Sequence, residues 1–246
     1  FVIKKRVKLQ PGERLLQTRR SIDRALDQGT RPTPSFMILG AQKAGTTSLY
    51  EYMNQHPLVV RAKRRETHCL DWRWNAKCKT TAQRRKHCLA FYYALELHSR
   101  PSCLTGDSTP SYLLDAPRVI PRLLEVFPHP MKFFVVLRDP TERCKSHYEM
   151  VTSLEGTPQQ LQTRGTEWRE STLEQVIQDD LDLMSACGLI PYWNNSNNNT
   201  NTVDRTVFDA FVDTPQEEKA WKSYLEKAVK LNTGSHCLLS RGLYAL

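Results

Sequence analysis

Apolar positions along this chain form short continuous runs and helical stripes, and long alternating strands are missing. The run Phe36-Met37-Ile38-Leu39 leads into the small-residue stretch Gly40 to Thr47 (GAQKAGTT), and a helix-like segment, Ser48 to Gln55, follows. That order predicts a strand, a tight loop and a helix. A second run, Lys132 to Leu137 (KFFVVL), is short and rich in β-formers, which fits a buried parallel strand. It ends in Arg138-Asp139-Pro140, where a helix should start: Asp139 is a good N-cap, Pro140 fits the first helical position, and Glu142 completes a capping-box spacing. Val119, Ile120, Leu123, Leu124 and Phe127 recur at helical spacing ahead of that strand, as a βαβ crossover requires. Leu173, Val176, Ile177, Leu181 and Met184 predict another helix, and Ala220, Trp221, Tyr224, Leu225 and Ala228 a third. Residues 153–170 and 188–214 read as long polar connections. Residues 1–34 read as a basic N-terminal arm or stem remnant, and residues 35–246 as one α/β domain with a central, mostly parallel sheet flanked by helices.

The loop after the first strand is built to hold an anion. Small residues at Gly40, Ala41, Ala44 and Gly45 let backbone N–H groups converge on phosphate oxygens, and the helix N-terminus adds its positive dipole end. Lys43 supplies a full charge, and Thr46 and Thr47 supply hydroxyls. The common ATP and GTP loop places lysine after its second glycine. Here Gly45 is followed by Thr46, and the loop's lysine is internal, so the Walker pattern is not met.

An internal lysine followed by Gly-Thr-Thr resembles the 5′-phosphosulfate loop of the sulfotransferases, which use 3′-phosphoadenosine 5′-phosphosulfate (PAPS) as sulfuryl donor. The segment VVLRDPTERCKSHYEM, Val135 to Met150, resembles the 3′-phosphate-binding segment of the same family. The resemblance implies a P-loop-like three-layer fold. It also implies a donor site made of Gly40, Ala41, Gln42, Lys43, Ala44, Gly45, Thr46 and Thr47, with Arg138 and Ser146 on the 3′-phosphate. The plainer reading of Arg138 is an arginine that caps a buried βα unit and pairs with an acid.

Between these segments, Arg65-Glu66-Thr67-His68-Cys69-Leu70-Asp71 looks like the K-E-x-H-F-F-D stretch of the heparan sulfate sulfotransferases. Glu66, His68 and Asp71 match by position, Arg65 stands where lysine is usual, and Cys69-Leu70 replaces the paired aromatics. The family's glutamate is the general base that takes the acceptor hydroxyl's proton, a role that passes to Glu66, with His68 and Lys43 beside it in the catalytic set. Arg64, Arg65 and Asp71 are then the expected acceptor contacts. The alternative for Glu66 is a surface ion pair with Arg64 or Arg65. Gly106-Asp107-Ser108-Thr109-Pro110-Ser111-Tyr112 looks like the family's G-E-K-[ST]-P-x-Y stretch, but Ser108 stands where several members carry lysine. Either Lys43 alone then serves the bridging oxygen, or a different basic residue contributes. Pro110 and Tyr112 read as scaffold. Ser240-Arg241-Gly242-Leu243-Tyr244 looks like the start of the family's S-x-G-x-Y helix, so the resemblance implies a further strand and basic loop that the 246 residues do not include.

Composition narrows the partners. Thirty-five Lys and Arg against 26 Asp and Glu give a net charge of +9, which favours an anionic partner. The basic cluster Arg61 to Arg65 abuts Glu66, where an acidic glycan would lie. Nucleic acid is not expected, because the basic runs carry no aromatic interleaving and no nucleic-acid motif is present. No dense Asp/His/Cys ligand set or Walker-B aspartate calls for a metal. No apolar stretch reaches the ~18 residues of a membrane span. By resemblance the chain is the lumenal part of a type II Golgi membrane protein, anchored through a segment outside these residues.

Asn194-Asn195-Ser196 and Asn198-Asn199-Thr200 fit glycosylation acceptors. Seven cysteines suit an oxidising compartment, with Cys78–Cys88 and Cys187–Cys237 as candidate disulfides; zinc is the other reading, although no C-x-x-C pair exists. The expected activity is PAPS-dependent O-sulfation of an acidic or neutral glycan. A non-catalytic glycan- or nucleotide-binding relative is the alternative, and a P-loop kinase is disfavoured by the displaced lysine. The acceptor sugar, the hydroxyl and the oligomeric state are not legible.

Overall fold

A computed structural model describes residues 33–92, 103–164, 166–195, 201–230 and 238–239. The chain divides into two compact units, with the boundary between Leu137 and Arg138.

The first unit is an α/β layer structure. Strand β1 (Phe36–Gly40) lies between β2 (Gly106–Ser108) and β3 (Lys132–Val135), and both neighbours run parallel to it. Parallel pairing needs crossovers, and the helices supply them: α1 (Thr46–Met53) and α2 (Thr81–Leu89) lie between β1 and β2 in sequence, and α3 (Ala116–Val126) lies between β2 and β3. The side chains of β1 alternate in use. Phe36 and Ile38 pack with Tyr50 of α1, while Met37 packs with Leu70, Leu89, Tyr112 and Val119 on the other face. Both faces of the central strand are therefore covered, which explains its unbroken apolar run. Met37 and Ile38 are fully buried, each contributing roughly 1.5–3 kcal/mol.

Strand β3 is parallel, as its sequence predicts, but it is not buried. Phe133, Phe134 and Val135 are 49%, 37% and 47% exposed, because among the described residues β3 pairs only with β1 and forms an edge.

The second unit contains α4 (Pro140–Thr152), α5 (Pro158–Arg164), α6 (Leu173–Ala186), α7 (Arg205–Phe211) and α8 (Pro215–Lys230), with the antiparallel pair β4 (Trp193–Asn195) and β5 (Asn201–Val203). The start of α4 follows its sequence: the Asp139 side chain accepts from the Glu142 N–H at 2.9 Å, and Pro140 opens the helix. The Glu142 carboxylate lies 3.6 Å from Arg138 and 3.4 Å from Lys145. Residues 153–170 and 188–214 differ from their expectation as polar connections, since α5, α7 and the β4–β5 pair fall inside them. Local capping explains the helices. Thr157 Oγ1 accepts from the Gln160 N–H, and Asp204 accepts from the N–H groups of Thr206 and Val207.

The candidate disulfide Cys78–Cys88 is not formed; both are free thiols. Cys88 lies on the inward side of α2, fully buried, and its thiol donates to the Cys69 carbonyl at 3.5 Å. Cys187 is a free thiol, and Cys237 lies outside the described residues. The stem remnant through residue 32, Ser196 to Thr200 and the Ser240–Leu246 stretch also lie outside them.

Candidate active site

The loop from Gly40 to Thr47 is formed by backbone geometry that most residues resist. Gly40 has φ 151° and approaches Pro110 and Leu113 so closely that a Cβ would sit 2.8 Å from the Pro110 carbonyl oxygen. Lys43 has φ 67° and Gly45 φ 95°, both in the left-handed region. For Lys43 that conformation costs roughly 1–2 kcal/mol, a strain that a loop shaped to present its N–H groups to an anion would retain. The loop is pinned where it leaves the sheet: Ala41 N–H donates to Val136 O and Val136 N–H to Gly40 O, both at 2.8 Å. Helix α1 begins after Gly45, which offers no side-chain cap, and has no acid in its first turn. Its positive end therefore has neither a side-chain cap nor a first-turn carboxylate from the helix itself. Thr46 is buried and Thr47 exposed at this end, Lys43 and Gln42 are half-buried, and Ala41 is buried.

Residues 61–73 form a strap tied to β2 and to the turn that follows it. Tyr50 of α1 ties its start, with a fully buried hydroxyl that accepts from the Ala62 N–H at 3.0 Å. The Ser108 N–H donates to the Arg65 carbonyl at 3.2 Å. The next residues are held by one buried carboxylate. Asp107 accepts from Thr67 Oγ1 at 2.6 Å, Thr67 N–H at 3.2 Å, Thr109 Oγ1 at 2.8 Å and the Tyr92 hydroxyl at 3.2 Å. Burial pushes its carboxyl up to about 6 even though the Thr67 and Thr109 hydrogen bonds favour the charge. The Tyr112 hydroxyl accepts from the Leu70 N–H at 3.2 Å. From outside, Arg73 donates to the carbonyls of Glu66 and Thr67, and Arg122 to those of Leu70 and Asp71.

This clamp presents three titratable side chains in contact, with His68 between Asp71 and Glu66. His68, at φ 53°, places Nδ1 2.9 Å from Asp71 Oδ2 and Nε2 3.7 Å from Glu66 Oε2. Ser111 Oγ donates to the same Asp71 oxygen at 2.6 Å. Burial works against charge on His68, but the hydrogen bonds and charges of Asp71 and Glu66 outweigh it and hold the imidazole up to about 9. It is therefore an imidazolium at neutral pH. Burial also pushes the Glu66 carboxyl up, yet His68 and the positive charges of Arg65 and Arg73 prevail and leave it below its ordinary value. Glu66 is thus an ionised, half-buried carboxylate, the form a proton acceptor needs.

Glu66 accepts from Arg65 Nη2 at 2.8 Å, so the ion-pair alternative holds as well, but in a supported site and not on an open face. Arg65 Nη1 also donates to Thr47 Oγ1, which brings the strap and the phosphate loop together. Arg64 is exposed. Arg138 and Ser146 belong to the second unit, Arg138 exposed just before α4 and Ser146 half-buried within it. Asp107, Ser111, Arg73 and Arg122 had no role assigned from sequence. Asp107 lies in β2 and Thr109 just after it, both buried, and no local spacing in the sequence marks them as partners of the strap. Among the described residues no group of three or more His, Cys, Asp or Glu is arranged to hold a metal ion.

Comparison with known proteins agrees with the motifs: the chain is similar to sulfotransferases. In particular, it is 27% identical over 154 residues to the membrane-associated sulfotransferase kil1 of Dictyostelium discoideum, covering 63% of this chain and 29% of that protein. It is 31% identical over 128 residues to the heparan sulfate glucosamine 3-O-sulfotransferase 3A1 of Mus musculus, covering 52% and 29%. The human heparan sulfate glucosamine 3-O-sulfotransferase 6 is 32% identical over 125 residues, covering 51% and 32%. The chain thus spans about a third or less of the length of these relatives. A solved sulfotransferase from Alicyclobacillus acidocaldarius aligns with 61% of this chain and 57% of its own at 20% identity and a TM-score of 0.41, too slight a likeness to carry an argument. No protein-family model matches.

Proposed function

We propose that this chain transfers a sulfuryl group from PAPS to a hydroxyl of a carbohydrate acceptor. The observation that carries the reading is the junction of an anion-holding loop with an ionised, clamped carboxylate, through the contacts Thr47–Arg65–Glu66. In the proposed step the acceptor oxygen attacks sulfur as Glu66 takes its proton, and the bond between sulfur and the 5′-phosphate oxygen breaks. Lys43 stabilises the charge growing on that departing oxygen. Loop N–H groups with Thr46 and Thr47 hold the 5′-phosphate, while His68, fixed by Asp71, keeps Glu66 ionised. Most of the rate would then come from positioning and preorganised charge. Arg138 and Ser146 carry the 3′-phosphate assignment from the resemblance alone.

The acceptor proposed is a glycan, an acidic polysaccharide above all. Two of the named relatives are heparan sulfate sulfotransferases by name, and the exposed basic residues Arg61, Lys63 and Arg64 lie in the first part of the strap. A Golgi lumenal location fits such an acceptor. Among the described residues no helix is long and apolar enough to cross a membrane. The test is transfer of labelled sulfur from PAPS to heparan sulfate-type chains by the full 246 residues. Label in the polysaccharide, abolished by Glu66→Gln, supports the reading. Donor binding without any transfer favours the non-catalytic alternative.

A further inference from the structure

Arg65 does not behave like the rest of its basic run. Arg61 pairs with Glu51 on the outer side of α1, and Lys63 and Arg64 are exposed. Arg65 instead turns between two elements whose roles are set above. Its carbonyl is fixed by the Ser108 N–H at the end of β2. Its guanidinium donates from Nη1 to Thr47 Oγ1 in the first turn of α1 and from Nη2 to Glu66 Oε1. A planar guanidinium presents two N–H donors at fixed spacing, which the single flexible ammonium of lysine cannot do. The Thr47 hydroxyl keeps its own hydrogen while accepting from Arg65. It can therefore donate to an anion in the loop at the same time, giving an unbroken path from anion to hydroxyl to guanidinium to carboxylate.

We infer that Arg65 is a positioning residue that couples occupancy of the phosphate loop to the placement and ionisation of Glu66. The inference rests on the proposed donor and base roles, and it moves Arg65 from acceptor recognition to the link between them. The charged groups facing Glu66 are Arg65, His68 and Arg73, with Asp71 acting on it through His68. His68 and Arg73 remain in an Arg65 variant, so a difference between the proteins isolates Arg65.

The test is carbon NMR titration of side-chain-labelled glutamate in the full chain. The Glu66 signal is assigned by its loss in Glu66→Gln, and titrations run with and without 3′-phosphoadenosine 5′-phosphate. In the unaltered protein the nucleotide should move the Glu66 signal. Arg65→Gln should raise the Glu66 titration midpoint and remove its response to bound nucleotide, and Arg65→Lys should keep the charge effect while weakening the response. Where turnover is measurable, Arg65→Gln should lower kcat by about 100-fold, as for a misplaced reacting group, with nucleotide affinity changed less than tenfold. A Glu66 midpoint and nucleotide response unaltered in Arg65→Gln, with nucleotide bound, overturns the role of Arg65 alone. Failure of the unaltered protein to bind the nucleotide overturns the donor reading and the coupling with it.

Discussion

The phosphate loop and the strap meet at Arg65, yet they are held in place by different physics. The loop is a backbone object: Gly40, Lys43 and Gly45 take uncommon φ values, and two main-chain hydrogen bonds to Val136 and the start of α1 fix the rest. The strap is a side-chain object, its carboxylates aimed by Thr67, Asp107, Thr109, Ser111, Tyr112 and two arginines drawn from β2, the turn that follows it, α3 and the strap itself. Loop geometry depends on which residues have a Cβ and strap geometry on whether every buried polar atom keeps its partner. Changes in the loop's functional groups should therefore be read in binding, and changes beneath the strap first in stability.

The largest effect should separate chemistry from both kinds of support. Glu66→Gln keeps the shape and the acceptor oxygen but cannot take a proton, so turnover should fall by about 10²–10⁴-fold in steady-state rates, far more than the loss of its ion pair with Arg65 lowers the thermal midpoint. Asp107→Ala breaks the strap without touching a reacting group. It leaves the hydroxyls of Thr67, Thr109 and Tyr92 without their carboxylate, and a loss of roughly 3–4 kcal/mol is expected in urea unfolding.

His68 sharpens the comparison through pH. Its folded pKa of about 9 lies above the unfolded value of about 6.5, so its contribution is fully present below pH 6.5 and is lost as pH rises through 9. That contribution is on the order of 3 kcal/mol, and denaturation midpoints of the unaltered protein should fall between pH 6.5 and 9 while those of His68→Asn stay flatter. Lys43→Ala acts in the loop. Losing one charge-assisted contact should weaken nucleotide binding by about 10- to 100-fold, read by calorimetric titration.

The same division decides what the sequence made legible. The loop could be read because strand, glycines and helix start are contiguous from Phe36 to Thr47, and local spacing carries their geometry. Asp139 and Pro140 could be read for the same reason. In the strap the grouping of Glu66, His68 and Asp71 could be read but not their support, because Asp107, Ser111 and Arg122 come from segments 40 to 52 residues away. The Cys78–Cys88 expectation failed on the same ground. The cysteine count and an oxidising compartment suggested bridges, but the helical register of α2 turns Cys88 inward onto the Cys69 carbonyl. The edge position of β3 was not legible either, since an apolar run shows that a strand is apolar and not how many neighbours it has.

The central claim is that the loop holds the phosphosulfate end of PAPS and not a magnesium nucleotide. Calorimetric titration of the 246-residue chain with 3′-phosphoadenosine 5′-phosphate, and with ATP in the absence and presence of magnesium, tests it most directly. The account predicts metal-independent binding that prefers the 3′-phosphorylated nucleotide and is weakened by Lys43→Ala. Magnesium-dependent binding of ATP in preference to that nucleotide would contradict it.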